Sequence, residues 1–392
     1  MIERELKSEL VKCAEEYPIV TVVGPRQSGK TTLVKMVFPK HTYVNLEQPE
    51  HRRLAAADPK TFLLTYSPPL ILDEIQNVPE LLSWIQVAVD ESPKEKGLFI
   101  LTGSHQMKQR EGVSQSLAGR TALLTLLPFS LEELSNGYGP LPEREPLLRS
   151  GFLPRIHEEA LRPARAWRDY YQTYVERDVR NLRNIENQTA FEQFLKILAG
   201  RVGQELNLQS ISGQIGISSP TLKQWISVLE ASFLVFRLPP YFRNFKKRIT
   251  KSPKIYFLDT GLLCYLLDIE TDSQLARDPL FGHIFENMVV MEFVKHRHHS
   301  GLTPNLYFFR DHNQNEVDLL FPTGNQAVPI EIKSSRTWND RFAKGVNYFQ
   351  KITGSAQKGM VIYDGDLEFE NDKFASSNFR SMFTTIKKLV PQ

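Results

Sequence analysis

The sequence predicts an α/β protein in which a parallel sheet opens the chain and a smaller α/β unit closes it. Three observations carry this reading. Short apolar runs alternate with helical patterns up to about residue 155, a glycine-rich segment sits between the first run and a helix, and a hairpin of alternating apolar and charged residues spans 316–333. Strands separated by helices pair in parallel and are covered on both faces. Residues 19–23, 70–72 and 98–102 supply three such strands, and 31–37 the helix after the first.

Composition sets the outer limits. The chain has 392 residues, 41% hydrophobic and 24% charged, which suits a globular protein of two or three domains and excludes a disordered or fibrous one. Lys and Arg number 48 against 45 Asp and Glu, so any nucleic-acid contact must come from a local basic patch rather than a global field. Cys13 and Cys264 cannot build a disulfide framework and point to a reducing compartment. The start, Met1-Ile-Glu-Arg-Glu-Leu-Lys7, is no secretory signal. Residues 121–131 form one of the longest uncharged stretches, well short of the roughly eighteen needed to span a bilayer. A cytoplasmic protein with no membrane contact is expected.

Gly24-Pro25-Arg26-Gln27-Ser28-Gly29-Lys30-Thr31 fits the pattern G-x-x-x-x-G-K-[ST] with a strand before it and a helix after it. Backbone N–H groups of such a loop curl around phosphate oxygens, and the helix N-terminus adds partial positive charge. Residues 24–32, Thr32 included, are therefore the expected nucleotide cradle. Lys30 would reach the β- and γ-phosphates, and Thr31 would coordinate Mg²⁺. Asp73 and Glu74 end the second strand where a parallel sheet puts its ligand groups; Asp73 would complete the Mg²⁺ shell and Glu74 would orient or deprotonate the attacking water. Thr102 or Ser104, at the tip of the third strand, could sense the γ-phosphate. ATP and Mg²⁺ are the cofactors implied.

A Pro- and Gly-rich loop at 136–142 is followed by a charged helical pattern through 167–182, read as a lid. Residues 211–217 and 218–229 form a helix-turn-helix, the second helix started by Ser218 and Pro220 and buried along Leu222, Ile226 and Leu229. Residues 233–238 and 241–245 would pair as the hairpin of a wing. Between 243 and 254 lie Arg243, Lys246, Lys247, Arg248, Lys251 and Lys254 with no acidic residue. With Lys223, Gln224 and Ser227 off the buried helix face, this is the expected DNA contact, although a solvated basic stretch fits the same pattern. His296, His298 and His299 are expected to be a solvated helix end. The fold continues with a helix over 281–293, a turn at 322–325, and strands on which Asp318, Glu331 and Lys333 converge. Two carboxylates can hold a hard divalent cation, and a lysine beside them can position water or stabilise phosphoryl charge. A retained fold with weak or no cleavage, used for DNA binding or assembly, and an ordinary charged hairpin face are the alternatives.

Gly-Pro-Arg-Gln-Ser-Gly-Lys-Thr-Thr, Leu-Asp-Glu-Ile-Gln, Leu-Thr-Gly-Ser, Leu-Ala-Gly-Arg and Pro-Phe-Ser, in that order, resemble the bacterial and archaeal AAA+ P-loop ATPases with a C-terminal domain of unknown function, DUF4143. The resemblance implies an AAA+ core, here 1–155, and a restriction-endonuclease-like domain, here 255–392; the residue patterns between them are read as a helical lid or linker at 156–190 and a winged helix at 191–254. The resemblance implies a homo-oligomer, a ring among the options, in which an arginine of one subunit completes a neighbour's site; Arg120, as sensor or finger, and Arg177 are the two choices, with a structural ion-pairing role the alternative for either. It also makes Glu286 the extra acidic residue of a nuclease-like site. The function expected is ATP hydrolysis acting on DNA as motor, remodeller or switch. A metal-dependent nuclease with regulatory ATPase and an ATP-switched scaffold for a protein partner are the alternatives.

Overall fold

The computed structural model describes residues 2–104, 117–179, 185, 187–241 and 252–389. Strands β1 (Ile19–Val23), β2 (Thr42–Asn45), β3 (Leu70–Asp73), β4 (Phe99–Gly103) and β5 (Thr121–Thr125) form one sheet in the order β2-β3-β4-β1-β5. Every pairing in it is parallel. Alternate residues face opposite layers. Ile19, Leu70, Leu72, Phe99 and Leu101 pack with Phe62, Leu82 and Ile85 on one side. Val20, Val22, Ile71 and Ile100 pack with Leu6, Leu10, Leu33 and Val34 on the other. β2 and β5 are additional to the three strands expected. Both lie at the edges and are only partly buried, so neither shows the continuous apolar run of a central strand.

A layer of helices follows. Leu131–Tyr138 starts with a capping box, in which Ser130 and Glu133 satisfy each other's backbone N–H groups. Arg144–Ser150, Pro154–Glu158 and Pro163–Tyr170 come next, the last running on as a π-helical stretch, Tyr171–Val179. Leu208–Ile215 ends on Gly216 at φ +69°, and Ser218 caps Ser219–Ala231. Leu222, Ile226 and Leu229 are buried, as their spacing predicts, and Trp225 joins them.

Of the hairpin expected between 233–238 and 241–245, the second arm beyond Tyr241 lies outside the described residues. β6 (Val235–Leu238) pairs antiparallel with β7 (Lys254–Phe257). The pair Pro239-Pro240 stops β6, and the chain runs to the next sheet, where the Tyr241 N–H donates to the Phe308 carbonyl at 2.8 Å. The expected division at 254/255 therefore falls inside β7.

The second sheet, β12-β11-β10-β9-β8, comprises β8 (Tyr307–Arg310), β9 (Glu316–Thr323), β10 (Gln326–Lys333), β11 (Gly359–Tyr363) and β12 (Phe374–Asn378). β8, β9 and β10 are antiparallel, whereas β10, β11 and β12 are parallel. The β9–β10 turn is tighter than expected: Thr323 faces Gln326 and Pro322 faces Ala327, leaving Gly324 and Asn325 as the turn, with Gly324 at φ +57°. The helix Phe281–His299 runs six residues beyond the expected end at 293.

That long helix joins the two sheets. Its Glu292 accepts the Leu131 N–H at 2.8 Å, and Lys295 donates to the Phe129 carbonyl at 2.8 Å and to Glu292 at 2.6 Å. Lys295 also lies 3.7 Å from the centroid of the Phe152 ring. One hydrophobic cluster joins Ile2, Val23 and Leu127 at the first sheet to Ile330, Ile362 and Ile386 at the second.

Asp259 is a second fastening. It accepts the N–H groups of Phe152 at 2.9 Å and Gly261 at 2.9 Å, and a Cβ on Gly151 would lie 1.9 Å from its Oδ1. Burial pushes its carboxyl up to about 6 against the nearby Lys295. The folded form therefore holds this proton to about pH 6, whereas the unfolded form releases it near 4. Across that window the unfolded form gains, so the contribution of Asp259 falls by about 3 kcal/mol as pH rises. Asn removes the titration and keeps one of the two acceptor contacts, since its amide has a single acceptor oxygen. Urea unfolding of the wild type and Asp259→Asn should show the wild type losing ground to the variant between pH 4 and 6.5; a constant difference would refute this.

Candidate functional site

The loop after β1 is shaped by positions where only small or left-handed residues fit. A Cβ on Gly24 would lie 2.1 Å from the Leu126 carbonyl oxygen, Gly29 has φ +88°, and Gln27 takes φ +62°. Lys30 is buried and folds back on its own loop, donating to the carbonyls of Gly24 at 3.1 Å and Pro25 at 2.8 Å. Burial pulls its ammonium down from the usual value, against the opposing pull of Glu74 and Asp73. Ser28 is fully buried, and its Oγ has no hydrogen-bond partner among the described residues. Arg26 stacks over the Tyr174 ring at 5.8 Å, joining the loop to the π-helical stretch, and Thr32 is exposed.

Asp73, at the tip of β3, is buried and accepts three hydroxyls: Thr31 at 2.9 Å, Tyr43 at 2.7 Å, and Thr102. Glu74 takes the left-handed conformation, φ +59°, which turns its side chain away from Asp73. Its carboxylate accepts from Ser104 at 3.1 Å and from the Gln76 amide, which also reaches Ser104 at 3.2 Å. The carboxyl ends of β1, β3 and β4 thus bring together Lys30, Thr31, Asp73, Glu74, Thr102 and Ser104. A hydroxyl beside a carboxylate is an all-oxygen donor set of the kind Mg²⁺ takes, and the residues present fit that ion.

Arg120 lies elsewhere. Its carbonyl accepts the Ile19 N–H at the opposite end of β1, and its guanidinium pairs with Asp90 at 2.6 and 2.8 Å. Five strand residues put it about 16 Å from the loop, too far to sense nucleotide in its own subunit. Arg177 is on the stretch Tyr171–Val179, with its side chain outside the described residues.

The carboxylates gathered at the second sheet prove buried rather than solvated: Glu286 of the long helix, Asp318 of β9 and Glu331 of β10 are each at most 8% exposed. Lys333 binds Asp318 at 2.9 Å and Glu331 at 2.5 Å. Lys254, expected in the basic arm, is instead buried in β7, bridging Glu286 at 3.1 Å and Glu316 at 2.5 Å. The Tyr256 hydroxyl donates to Glu286 at 2.6 Å. Burial and the adjoining Asp318 push the Glu331 carboxyl up to about 9. Asp318, in spite of its burial, is held well below the usual range by Lys333 and Lys254. Gly345 seals the cluster, since a Cβ there would lie 1.9 Å from Glu331 Oε1.

Lys223, Gln224 and Ser227 are exposed on the Ser219–Ala231 helix. Arg243, Lys246, Lys247, Arg248 and Lys251 lie outside the described residues. The expected solvated histidine end fails at His299, which is 3% exposed with Nδ1 at 3.2 Å from Glu5 Oε2. Sequence reasoning missed Arg4, Tyr43, Gln76 and Lys254 as members of these sites. Gln76 had a local signal, two residues beyond Glu74; the others meet their partners only through the fold.

Three family models match successive stretches of the chain: an AAA domain over 16–135, a domain of unknown function (DUF8612) over 143–273, and a domain of unknown function (DUF4143) over 281–381. Uncharacterized proteins of Mycobacterium tuberculosis and Mycobacterium bovis are each 30% identical over 339 residues, covering 85% of this chain and 74% of theirs. An uncharacterized protein of Methanocaldococcus jannaschii is 25% identical over 257 residues, 56% of this chain and 52% of its own. Among solved structures, a Walker-type ATPase of Pyrococcus abyssi aligns with 68% of this chain and 96% of its own at 16% identity and a TM-score of 0.46. No described helix is long and apolar enough to cross a membrane. With its parallel five-stranded sheet and phosphate loop, the chain belongs to the family of P-loop AAA-domain ATPases that carry a C-terminal DUF4143 domain.

Proposed function

We propose that the chain binds and hydrolyses ATP with Mg²⁺ and uses the cycle to act on DNA, as a homo-oligomer. The observation that carries the ATPase reading is the Thr31 hydroxyl on the Asp73 carboxylate at 2.9 Å, with Glu74 held apart by Ser104 and Gln76. Nucleotide phosphates would enter against the N–H groups of the loop, and Lys30 would exchange the Gly24 and Pro25 carbonyls for phosphate oxygens. Thr31 and Asp73 would hold Mg²⁺, which neutralises charge on the β- and γ-phosphates when bound. Glu74 would accept the proton of the attacking water after its hydrogen bonds to Ser104 and Gln76 rearrange. Arg26, stacked on Tyr174, offers a route by which loop movement reaches the helical layer. The exposed Lys223 and Gln224 support DNA as partner, as does the basic run 243–251 in the sequence; the winged-helix reading of this region belongs to the same proposal.

Lys30→Ala should abolish tight ATP binding by calorimetry, and an unchanged affinity would end the loop's assigned role. Glu74→Gln should retain ATP affinity while hydrolysis falls at least about a hundredfold. Comparing hydrolysis with and without duplex, single-stranded and branched DNA tests the partner. Stimulation by one form supports action on DNA; a rate indifferent to all of them refutes it.

The burial of Asp318 and Glu331 around Lys333 favours a second reading, a metal-dependent nuclease of restriction-endonuclease-like fold. Buried paired acids are costly without a cation, and the Glu331 carboxyl, pushed up to about 9 by burial and Asp318, supports room for a cation beside Lys333. Plasmid nicking in Mg²⁺ or Mn²⁺ should then be lost in Asp318→Ala. Absence of nicking by the wild type would dismiss the reading.

A further inference from the structure

Arg4 is 5% exposed and spreads its three nitrogen groups over three acceptors from distant parts of the chain. Nη1 donates to the Ser28 carbonyl at 2.7 Å, Nη2 to the Leu127 carbonyl at 2.6 Å, and Nε to Glu133 Oε1 at 2.9 Å. Its Cζ lies over the Phe129 ring, 4.9 Å from the centroid. Two of these contacts bracket the phosphate loop. Ser28 is near the loop's far end, while Leu127 follows Leu126, whose carbonyl abuts Gly24 at the near end. Because a peptide unit is planar and trans, its C=O and N–H point in opposite directions. Holding the Ser28 carbonyl outward on a cation therefore aims the Gly29 N–H into the loop, where a phosphate would lie.

The third contact leads away from the loop. Glu133 accepts the Glu5 N–H at 2.8 Å and the Ser130 N–H at 3.0 Å besides Arg4. Ser130 in turn donates to Glu5 at 3.1 Å, and Glu5 meets His299 of the long helix. That helix grips the same turn through Glu292 on the Leu131 N–H and Lys295 on the Phe129 carbonyl. The turn at 127–133 is thus shared between Arg4 and the C-terminal helix.

We propose that Arg4 is a positioning residue of the ATP site, fixing the Ser28–Gly29 peptide for phosphate and, through Glu133, tying that peptide to the seating of the helix Phe281–His299. The proposal rests on the ATPase reading above. Lysine at position 4 keeps the charge but cannot serve three divergent acceptors at once. Gln at 133 keeps the capping box and loses the charge that orients Arg4.

ATP hydrolysis should be measured for the wild type, Arg4→Lys, Glu133→Gln and the double variant, with thermal unfolding alongside. Arg4→Lys should raise the KM for ATP about tenfold with kcat within about twofold, the pattern of a lost contact made equally in ground and transition states. Glu133→Gln should raise KM in the same direction, and the double variant should be no worse than Arg4→Lys alone, since both break one network. A buried staple that serves only folding would lower the melting temperature and leave KM unchanged in the molecules still folded; that result overturns the proposal. So do additive effects of the two substitutions. If Arg4→Lys fails to fold, Glu133→Gln decides by its KM. A wild type that binds no ATP refutes the ATPase reading itself, whereas variants with wild-type KM refute only the role of Arg4.

Discussion

Asp73 is the group on which the proposed ATP site hangs. A buried carboxylate survives only when its lone pairs are satisfied, and here three hydroxyls from three different elements do so. Thr31 comes from the helix after the loop, Tyr43 from β2 and Thr102 from β4. Each would be elsewhere if the strand order changed. The order β2-β3-β4-β1-β5 sets β3 and β4 side by side and β4 against β1, so their carboxyl ends open on one crevice. Burial and Asp73 together raise the Tyr43 hydroxyl far above its usual value, so it remains a donor at any physiological pH. Mg²⁺ arriving at Asp73 would meet a carboxylate already oriented.

The second dependency is mechanical. A helix of 19 residues carries Glu286 toward its start and Glu292, Lys295 and His299 toward its end, so it reaches both charged sites. Lys295 and Glu292 are fully buried as a pair. Such a pair repays its desolvation only when the remaining donors and acceptors are satisfied, and both have backbone partners in the 129–131 turn. Removing either partner would strand a charge in the core. The helix therefore has one seating, and the sheets at its two ends share it.

Legibility followed from how local each signal is. The phosphate loop and the Asp73–Glu74 tip are readable because loop, strand and helix are contiguous in sequence and the backbone itself constrains Gly24 and Gly29. The helix Ser219–Ala231 was readable from its cap and its stripe of Leu222, Ile226 and Leu229. The charged hairpin was readable in its residues but not in its burial, because period two assigns Asp318 and Glu331 to a common face without saying what covers it. What covers it is the helix Lys344–Thr353, whose Gly345 leaves room for Glu331. β5 and β2 were missed because an edge strand buries only one side, and the partner of β6 because it lies beyond a segment of ten or more residues.

Lys254 shows why a charge run is a weak guide to a surface. It ends a stretch with no acidic residue, and sequence distance alone places it with its basic neighbours. In β7 it faces Leu238 in register and its side chain enters the acidic cluster, contacting Glu286 and Glu316. Four carboxylates gathered there need positive charge, and two lysines supply part of it from strands of different sheets. The cluster is thus the point at which the small β6–β7 sheet is electrostatically bound to the C-terminal sheet. Any cation that entered between Asp318 and Glu331 would compete with Lys333 for the same oxygens, and a shift there would be felt at Lys254 and so at the base of the segment that carries the basic run.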